Sequence, residues 1–208
     1  MIPTRICPVD ASHPEPSVLQ EAASSLRQGK LVGFPTETFY GLGANAMDRE
    51  AVARVFRVKG RAESKPLLIL VDSVRMAESL ALELSDIART LMATYWPGPL
   101  TLVFRASAEL PPALGAGAGT VGMRMPGHPV ALALVRAAGF PVTAPSANPS
   151  GEEPPTTAEA VRRFFDGKIE LILDGGPTAG GRPSTVLDLS VSPPRLIRHG
   201  VVELSDFK

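Results

Sequence analysis

Proline and glycine interrupt this chain throughout, 21 of one and 19 of the other in 208 residues. They impose many tight turns and ordered loops, and they leave room for short helices and strands only. No apolar run approaches the roughly 20 residues that a helix needs to cross a bilayer. The N-terminus lacks a basic region followed by an apolar run, so no signal peptide is read there. A hydrophobic share of 44% is enough for a sizeable core. Lysine plus arginine equals aspartate plus glutamate at 21 each, so net charge points to neither nucleic acid nor membrane. A local basic cleft remains compatible with that balance. Cys7 is the only cysteine, which excludes an internal disulfide and a cysteine-based zinc site. The expectation is a soluble, cytoplasmic protein.

Residues 1–16 hold four prolines and little periodicity, and they read as an extended lead-in. One domain is expected over 17–208. Ser17 reads as the N-cap of a helix whose apolar face is Val18, Leu19, Ala22, Ala23 and Leu26. A short strand follows at 31–34. Asp48 caps a second helix with Val52, Val55 and Phe56 inward, and Gly60 stops it. The run 67–71 is continuously apolar, as in an internal strand. Ser85 caps a third helix with Ile87, Ala88, Leu91, Met92 and Tyr95 inward. Strands are predicted at 100–104, 121–125, 141–144, 169–173, 185–189 and 196–198, and helices at 130–138 and 157–165. Several strands follow one another without helices, so strict βαβ alternation is missing. A single α/β domain with a mixed, twisted sheet flanked by helices fits the pattern.

Five places carry chemistry. Lys59, Arg61 and Lys65 stand where a helix ends and a buried strand begins. Cations there suit phosphate, though cations at a helix C-terminus also offset the macrodipole. Thr36 and Thr38 alternate along Pro-Thr-Glu-Thr-Phe-Tyr-Gly-Leu-Gly, where two glycines allow a ligand close to the backbone. The same residues also suit a turn whose threonines bond their own backbone. Arg124 interrupts an apolar strand. Val121, Met123 and Met125 share one face, and Gly122 and Arg124 share the other. A buried arginine needs an anion, either a protein carboxylate or a ligand carboxylate gripped by two parallel bonds. Ser146 and Asn148 offer a hydroxyl and an amide on one side of a proline-bounded turn. Residues 176–181 have the glycine frame of a P-loop, but Arg182 and Pro183 replace its Lys and Ser or Thr, and a strand follows instead of a helix. His13, His128 and His199 all read as loop residues, and no Gly-x-Ser-x-Gly elbow is present. A serine hydrolase and a protein-bound metal are therefore not expected.

Seven motifs in order then resemble the YrdC/Sua5 family, the threonylcarbamoyl-AMP synthases of tRNA t6A modification. They are Pro-Thr-Glu-Thr-Phe-Tyr-Gly-Leu-Gly (35–43), Lys-Gly-Arg…Lys-Pro-Leu (59–67), Trp-Pro-Gly-Pro-Leu-Thr (96–101) and Val-Gly-Met-Arg-Met-Pro…His-Pro (121–129). Pro-Ser-Ala-Asn-Pro-Ser-Gly (145–151), Ser-Thr-Val-Leu-Asp-Leu (184–189) and Leu-Ile-Arg-His-Gly (196–200) complete the set. The resemblance implies an enzyme using L-threonine, bicarbonate or CO2, and ATP. It implies a threonine site at Thr36, Arg124, Ala144 and Ser184, with Arg124 on the carboxylate. It implies an ATP site at Lys59, Arg61, Thr120, Ser146, Asn148 and Arg198, with Lys59 and Arg61 stabilising charge on the phosphates as pyrophosphate leaves. Magnesium would arrive with ATP, and the product would pass to a t6A-transferase complex. The residues after Arg198 are too few for the C-terminal domain of longer Sua5 members, so the short YrdC type is expected. His199 stands where the family commonly has proline.

Three other readings remain at this point. A YciO-like paralogue would share the fold with weak or different activity; the intact Lys59-Gly-Arg61 and Ser146-Ala-Asn148 argue against it. The carbamoyl-adenylate domain of hydrogenase maturation proteins is a second relative, but it is joined to modules missing here. An RNA-binding module would need a basic face, and the balanced charge and lack of interleaved aromatics weaken it.

Overall fold

The computed structural model describes residues 3–204. In chain order the first half holds β1 (Arg5–Pro8), α1 (Pro16–Arg27), β2 (Val32–Pro35), β3 (Tyr40–Gly43), α2 (Arg49–Lys59), β4 (Leu68–Leu70), α3 (Val74–Leu80) and α4 (Asp86–Tyr95). Then come β5 (Leu100–Arg105), a short 3-10 helix (Pro112–Gly115), β6 (Thr120–Arg124), α5 (Pro129–Ala138), β7 (Val142–Thr143), α6 (Ala158–Phe165), β8 (Leu171–Asp174), β9 (Thr185–Asp188) and β10 (Arg195–Arg198). Among the described residues no helix is long and apolar enough to cross a membrane.

The strands form two mixed sheets where one was expected. The smaller runs β1-β8-β2-β3, and the larger β10-β9-β5-β6-β4-β7. Isolated bridges join their edges, Gly41 to Ser146 and Asn45 to Val142. Leu42 N–H donates to Pro145 O at 2.8 Å and Thr143 N–H to Ala44 O at 3.0 Å, so β3 runs alongside the 142–146 segment. The two sheets therefore meet along one backbone seam.

Period-two alternation decides what faces where. On the larger sheet Leu100, Leu102 and Phe104 of β5, Val121 and Met123 of β6, and Leu187 of β9 enter one core. Val52, Val55 and Phe56 of α2 and Ala88, Leu91 and Met92 of α4 cover it. The intervening residues, among them Thr101, Val103, Gly122, Arg124 and Val186, face the other way. A second core packs Leu19, Ala22, Ala23 and Leu26 of α1 against Val130, Leu134 and Val135 of α5. Gly33 lacks a side chain where Val161 of α6 and Ile172 of β8 approach to 3.2 Å of its would-be Cβ, which lets α6 lie close to the smaller sheet.

Several expectations are corrected. The lead-in contains a strand: β1 pairs in parallel with β8, Arg5 opposite Leu171, so this segment belongs to the smaller sheet. Glu15, not Ser17, is the N-cap of α1; Pro16 opens the helix with its preset φ and no N–H to satisfy. Tyr40–Gly43 is a fully buried strand inside what reads as a glycine-bearing turn. Helix α3 has no counterpart in the sequence reading. Ile87 points outward, 46% exposed, because the buried stripe of α4 is Ala88, Leu91 and Met92. His128 is the N-cap of α5, its Nδ1 accepting from Val130 N–H at 3.2 Å.

Candidate functional site

The outward face of the larger sheet and the seam to the smaller one enclose a cleft of about 1130 Å³. Its walls bring together Thr36, Arg61, Thr120, Arg124, Ala144, Ser146, Ser184 and Arg198, eight of the ten residues singled out from sequence. They come from six separate segments between positions 36 and 198. Lys59 and Asn148 stand behind the wall.

Lys59 ends α2 and is 3% exposed. Its Nζ donates to Ser146 O and Asn148 O, both at 2.5 Å, and Ser150 N–H donates to Lys59 O at 2.8 Å. The ammonium thus ties the 146–150 loop to the helix end. Burial, with a smaller push from Arg61, brings its pKa down from 10.5 to about 8. Asn148 Nδ2 donates to Pro149 O and Glu152 O, which tightens the next turn, while its buried Oδ1 accepts nothing. Arg61 does face the cleft. Its Nε and Nη2 donate to Lys65 O at 3.2 Å and Pro66 O at 2.8 Å, and Gly60 at φ 58 turns the chain between the two cations.

Arg124 ends β6 beside Leu70 of β4 and is 3% exposed. Glu37 Oε1 stands 3.2 Å from its Nη1, and its buried Nε has no partner among the described residues. Of the two anions weighed from sequence, the structure shows the protein carboxylate, which takes one edge of this guanidinium. Thr36 and Thr38 form the turn between β2 and β3. Thr36 Oγ1 donates to Phe39 O at 2.7 Å and lies 3.1 Å from Thr38 Oγ1. The turn reading of these threonines holds, and the turn also lines the cleft.

Ser184 is oriented by a network that the sequence did not disclose. Its Oγ lies 2.9 Å from Thr101 Oγ1, and Arg198 Nη2 donates to it at 2.9 Å. Arg198 Nε and Nη2 also donate to Ser184 O at 3.0 and 2.8 Å. Most of the donors of Arg198 are thus spent on Ser184. Thr101 and Glu37 both lie inside recognised motifs, but only the pairing of distant strands shows what they touch. The cleft lining also includes the apolar Val103, Val186, Val191, Ile197 and Leu82 and the cations Arg105 and Arg195. Leu82 (62%) and Ile197 (53%) are exposed to solvent.

Residues 24–200 match the Sua5/YciO/YrdC family, described as telomere recombination. The chain is 49% identical over 187 residues to the threonylcarbamoyl-AMP synthase of Pyrococcus abyssi, covering 90% of this chain and 55% of that protein. It thus spans about half the length of the curated relative it matches. The structure of P. abyssi Sua5 complexed with L-threonine superposes with a TM-score of 0.91 at 48% identity, over 95% of this chain and 58% of that one. Escherichia coli YciO superposes with a TM-score of 0.90 at 26% identity, over 99% of this chain and all of that one.

Proposed function

Because the chain belongs to the Sua5/YciO/YrdC family, we propose that it makes threonylcarbamoyl-AMP and pyrophosphate from L-threonine, bicarbonate or CO2, and ATP, for t6A modification of tRNA. The observation that carries this reading is Arg124, a nearly buried guanidinium that lines the cleft and whose Nε has no partner among the described residues. A guanidinium on the wall of the cleft can take a substrate carboxylate with charge-assisted bonds. YciO shares the fold as fully as Sua5 does, so the fold does not separate the two activities. The higher identity to the synthase favours the synthase.

In this reading the threonine carboxylate lies on Arg124, with Thr36, Ala144 and Ser184 around the rest of the amino acid. The ammonium first loses a proton to solvent; the amine then attacks CO2, and the adduct gives a second proton to solvent to become a carbamate. A carbamate oxygen attacks the α-phosphorus in line, and pyrophosphate leaves. Arg61, with Ser146 and Thr120 on the same wall, faces the polyphosphate and stabilises the charge developing there. Lys59, Asn148 and Arg198 act by shaping the 146–150 loop and fixing Ser184. No three His, Cys, Asp or Glu side chains converge as a metal cage among the described residues. In this reading magnesium would arrive with ATP on its phosphate oxygens.

The test is mass spectrometry of products from ATP, threonine and isotopically labelled bicarbonate. Threonylcarbamoyl-AMP carrying the label is expected, and no adenylate beyond AMP would refute the assignment. Activity should fall in the order threonine, serine, valine. Serine should lose about 10–200-fold, and valine should be near background because the groups meeting the hydroxyl would be left unpaired. Valine outperforming serine would remove the hydroxyl contact.

A further inference from the structure

Glu37 sits in the turn between β2 and β3, on the smaller sheet, and among the described residues its one ion pair is with Arg124 of the larger sheet. It does not line the cleft. Both of its carboxylate oxygens are closed off from solvent, and neither accepts a hydrogen bond from the described residues. A carboxylate sealed in this way is expensive, and the neighbouring guanidinium is what makes it tolerable. The turn that carries it is fixed on several sides. Thr36 Oγ1 donates to Phe39 O at 2.7 Å, Thr38 N–H donates to Thr36 Oγ1 at 3.2 Å, and Gly180 N–H donates to Thr38 O at 2.7 Å.

Two other titratable groups feel this pair. Arg198 repels Arg124, and its own donors are turned to Ser184. His128, at the start of α5, is kept below its usual pKa by burial and uses Nδ1 to cap the helix. Arg124 is therefore attracted on one edge by Glu37 and repelled by a second guanidinium. The guanidinium stands with Nη1 to Glu37, and its Nε has no partner among the described residues.

We infer that Glu37 is a positioning residue: from outside the cleft wall it holds the Arg124 guanidinium in the orientation that receives a substrate carboxylate. The inference rests on the amino-acid reading of the cleft given above. Its physical content is preorganisation. An arginine already fixed does not lose its rotamer freedom when the ligand arrives. Removing the Glu37 charge frees the guanidinium to turn, and the cost should fall on the amino acid and not on ATP.

The test uses the full chain as wild type, Glu37→Gln and Glu37→Asp. L-Threonine binding is measured by calorimetry, and steady-state rates are measured with each substrate varied. Glu37→Gln should raise the threonine Kd and KM about tenfold or more, as loss of an orienting partner does at metal ligands, with the ATP KM unchanged and kcat largely kept. Glu37→Asp retains the charge and should recover most of the loss. A merely structural role predicts equal damage to both substrates, and that result, or unchanged threonine affinity in Glu37→Gln, overturns the inference. Should Glu37→Gln fail to fold, Glu37→Met removes the charge in its place, and a threonine-only rise must appear there; its absence counts against the inference equally. Wild-type protein that binds threonine but makes no adenylate sinks the proposed reaction alone, and calorimetry then decides the role of Glu37. Wild-type protein that binds no threonine sinks both.

Discussion

Arg124 and Lys59 are the two cations whose burial does the most. Arg124→Ala should raise the threonine requirement far more than the ATP requirement. It should also destabilise the fold, because Glu37 is left as an uncompensated buried charge; breaking such a pair costs about 3–5 kcal/mol. The double variant Arg124→Ala/Glu37→Gln should regain part of that stability while remaining unable to bind threonine. Melting curves beside threonine titrations check both statements. Lys59 predicts a pH dependence. Its folded pKa, about 8, lies below the unfolded value of 10.5. Between those limits the unfolded chain holds more protons, so this group makes the fold more stable as pH rises from 8 to 10.5, and it gives no slope below 8. The melting temperature of wild type should therefore gain on that of Lys59→Met across pH 8–10.5. Parallel curves would mean that the ammonium is not desolvated.

At the scale of elements, the helix end at 59–61 divides its work. Lys59→Ala should lower both product formation and melting temperature, because the 146–150 loop loses two hydrogen bonds from one ammonium. Arg61→Ala should abolish product with a small change in melting temperature, since its contacts are to the adjacent backbone at Lys65 and Pro66. A purely dipole-stabilising role for either cation predicts a loss of only about 0.3–1 kcal/mol with activity retained. The exit of β10 is equally constrained. A Cβ on Gly200 would stand 2.3 Å from Pro183 O, Ser184 C and Thr185 N, all backbone. Gly200→Ala should therefore push β10 away from the 183–185 segment and misplace Ser184. A lowered melting temperature together with a raised threonine KM is the expected result, and normal threonine affinity would show that Arg198 alone suffices to place Ser184.

For the whole molecule, the cleft takes walls from both sheets, so a ligand there bridges them. Binding should stabilise the entire fold and not one half of it. At 100 times Kd a ligand adds about 2.7 kcal/mol. For a domain of this size each kcal/mol raises the melting temperature by about 2–4 °C. Saturating threonine should therefore move a single transition upward by several degrees in wild type and leave Arg124→Ala unmoved. Two separate transitions, only one of them ligand-sensitive, would show that the seam at Gly41–Ser146 does not couple the sheets.

The sequence alone determined the alternation of β6, the Asp48 and Gly60 limits of α2, and the apolar stripes of α1 and α2. Each of these is written within a few residues, in a period or a cap. It also marked several of the residues that line the cleft, through polar and charged types that a core would not choose. Tertiary structure alone decided which of those residues face the cleft. Lys59 and Asn148 read as ligand-binding side chains, yet their donors go to backbone carbonyls of the 146–152 region, whose position no local pattern states. Strands β1 and β3 escaped notice for a related reason. Four residues containing proline or two glycines carry no alternation, and their strand character comes from partners well over 100 residues away (β8) or from a pairing (β2) that the turn at 36–39 creates. Pairing of Glu37 with Arg124, like that of Thr101 with Ser184, joins positions more than 80 residues apart. A period or a cap is fixed by neighbours along the chain, but a buried charge is fixed by what the fold brings beside it.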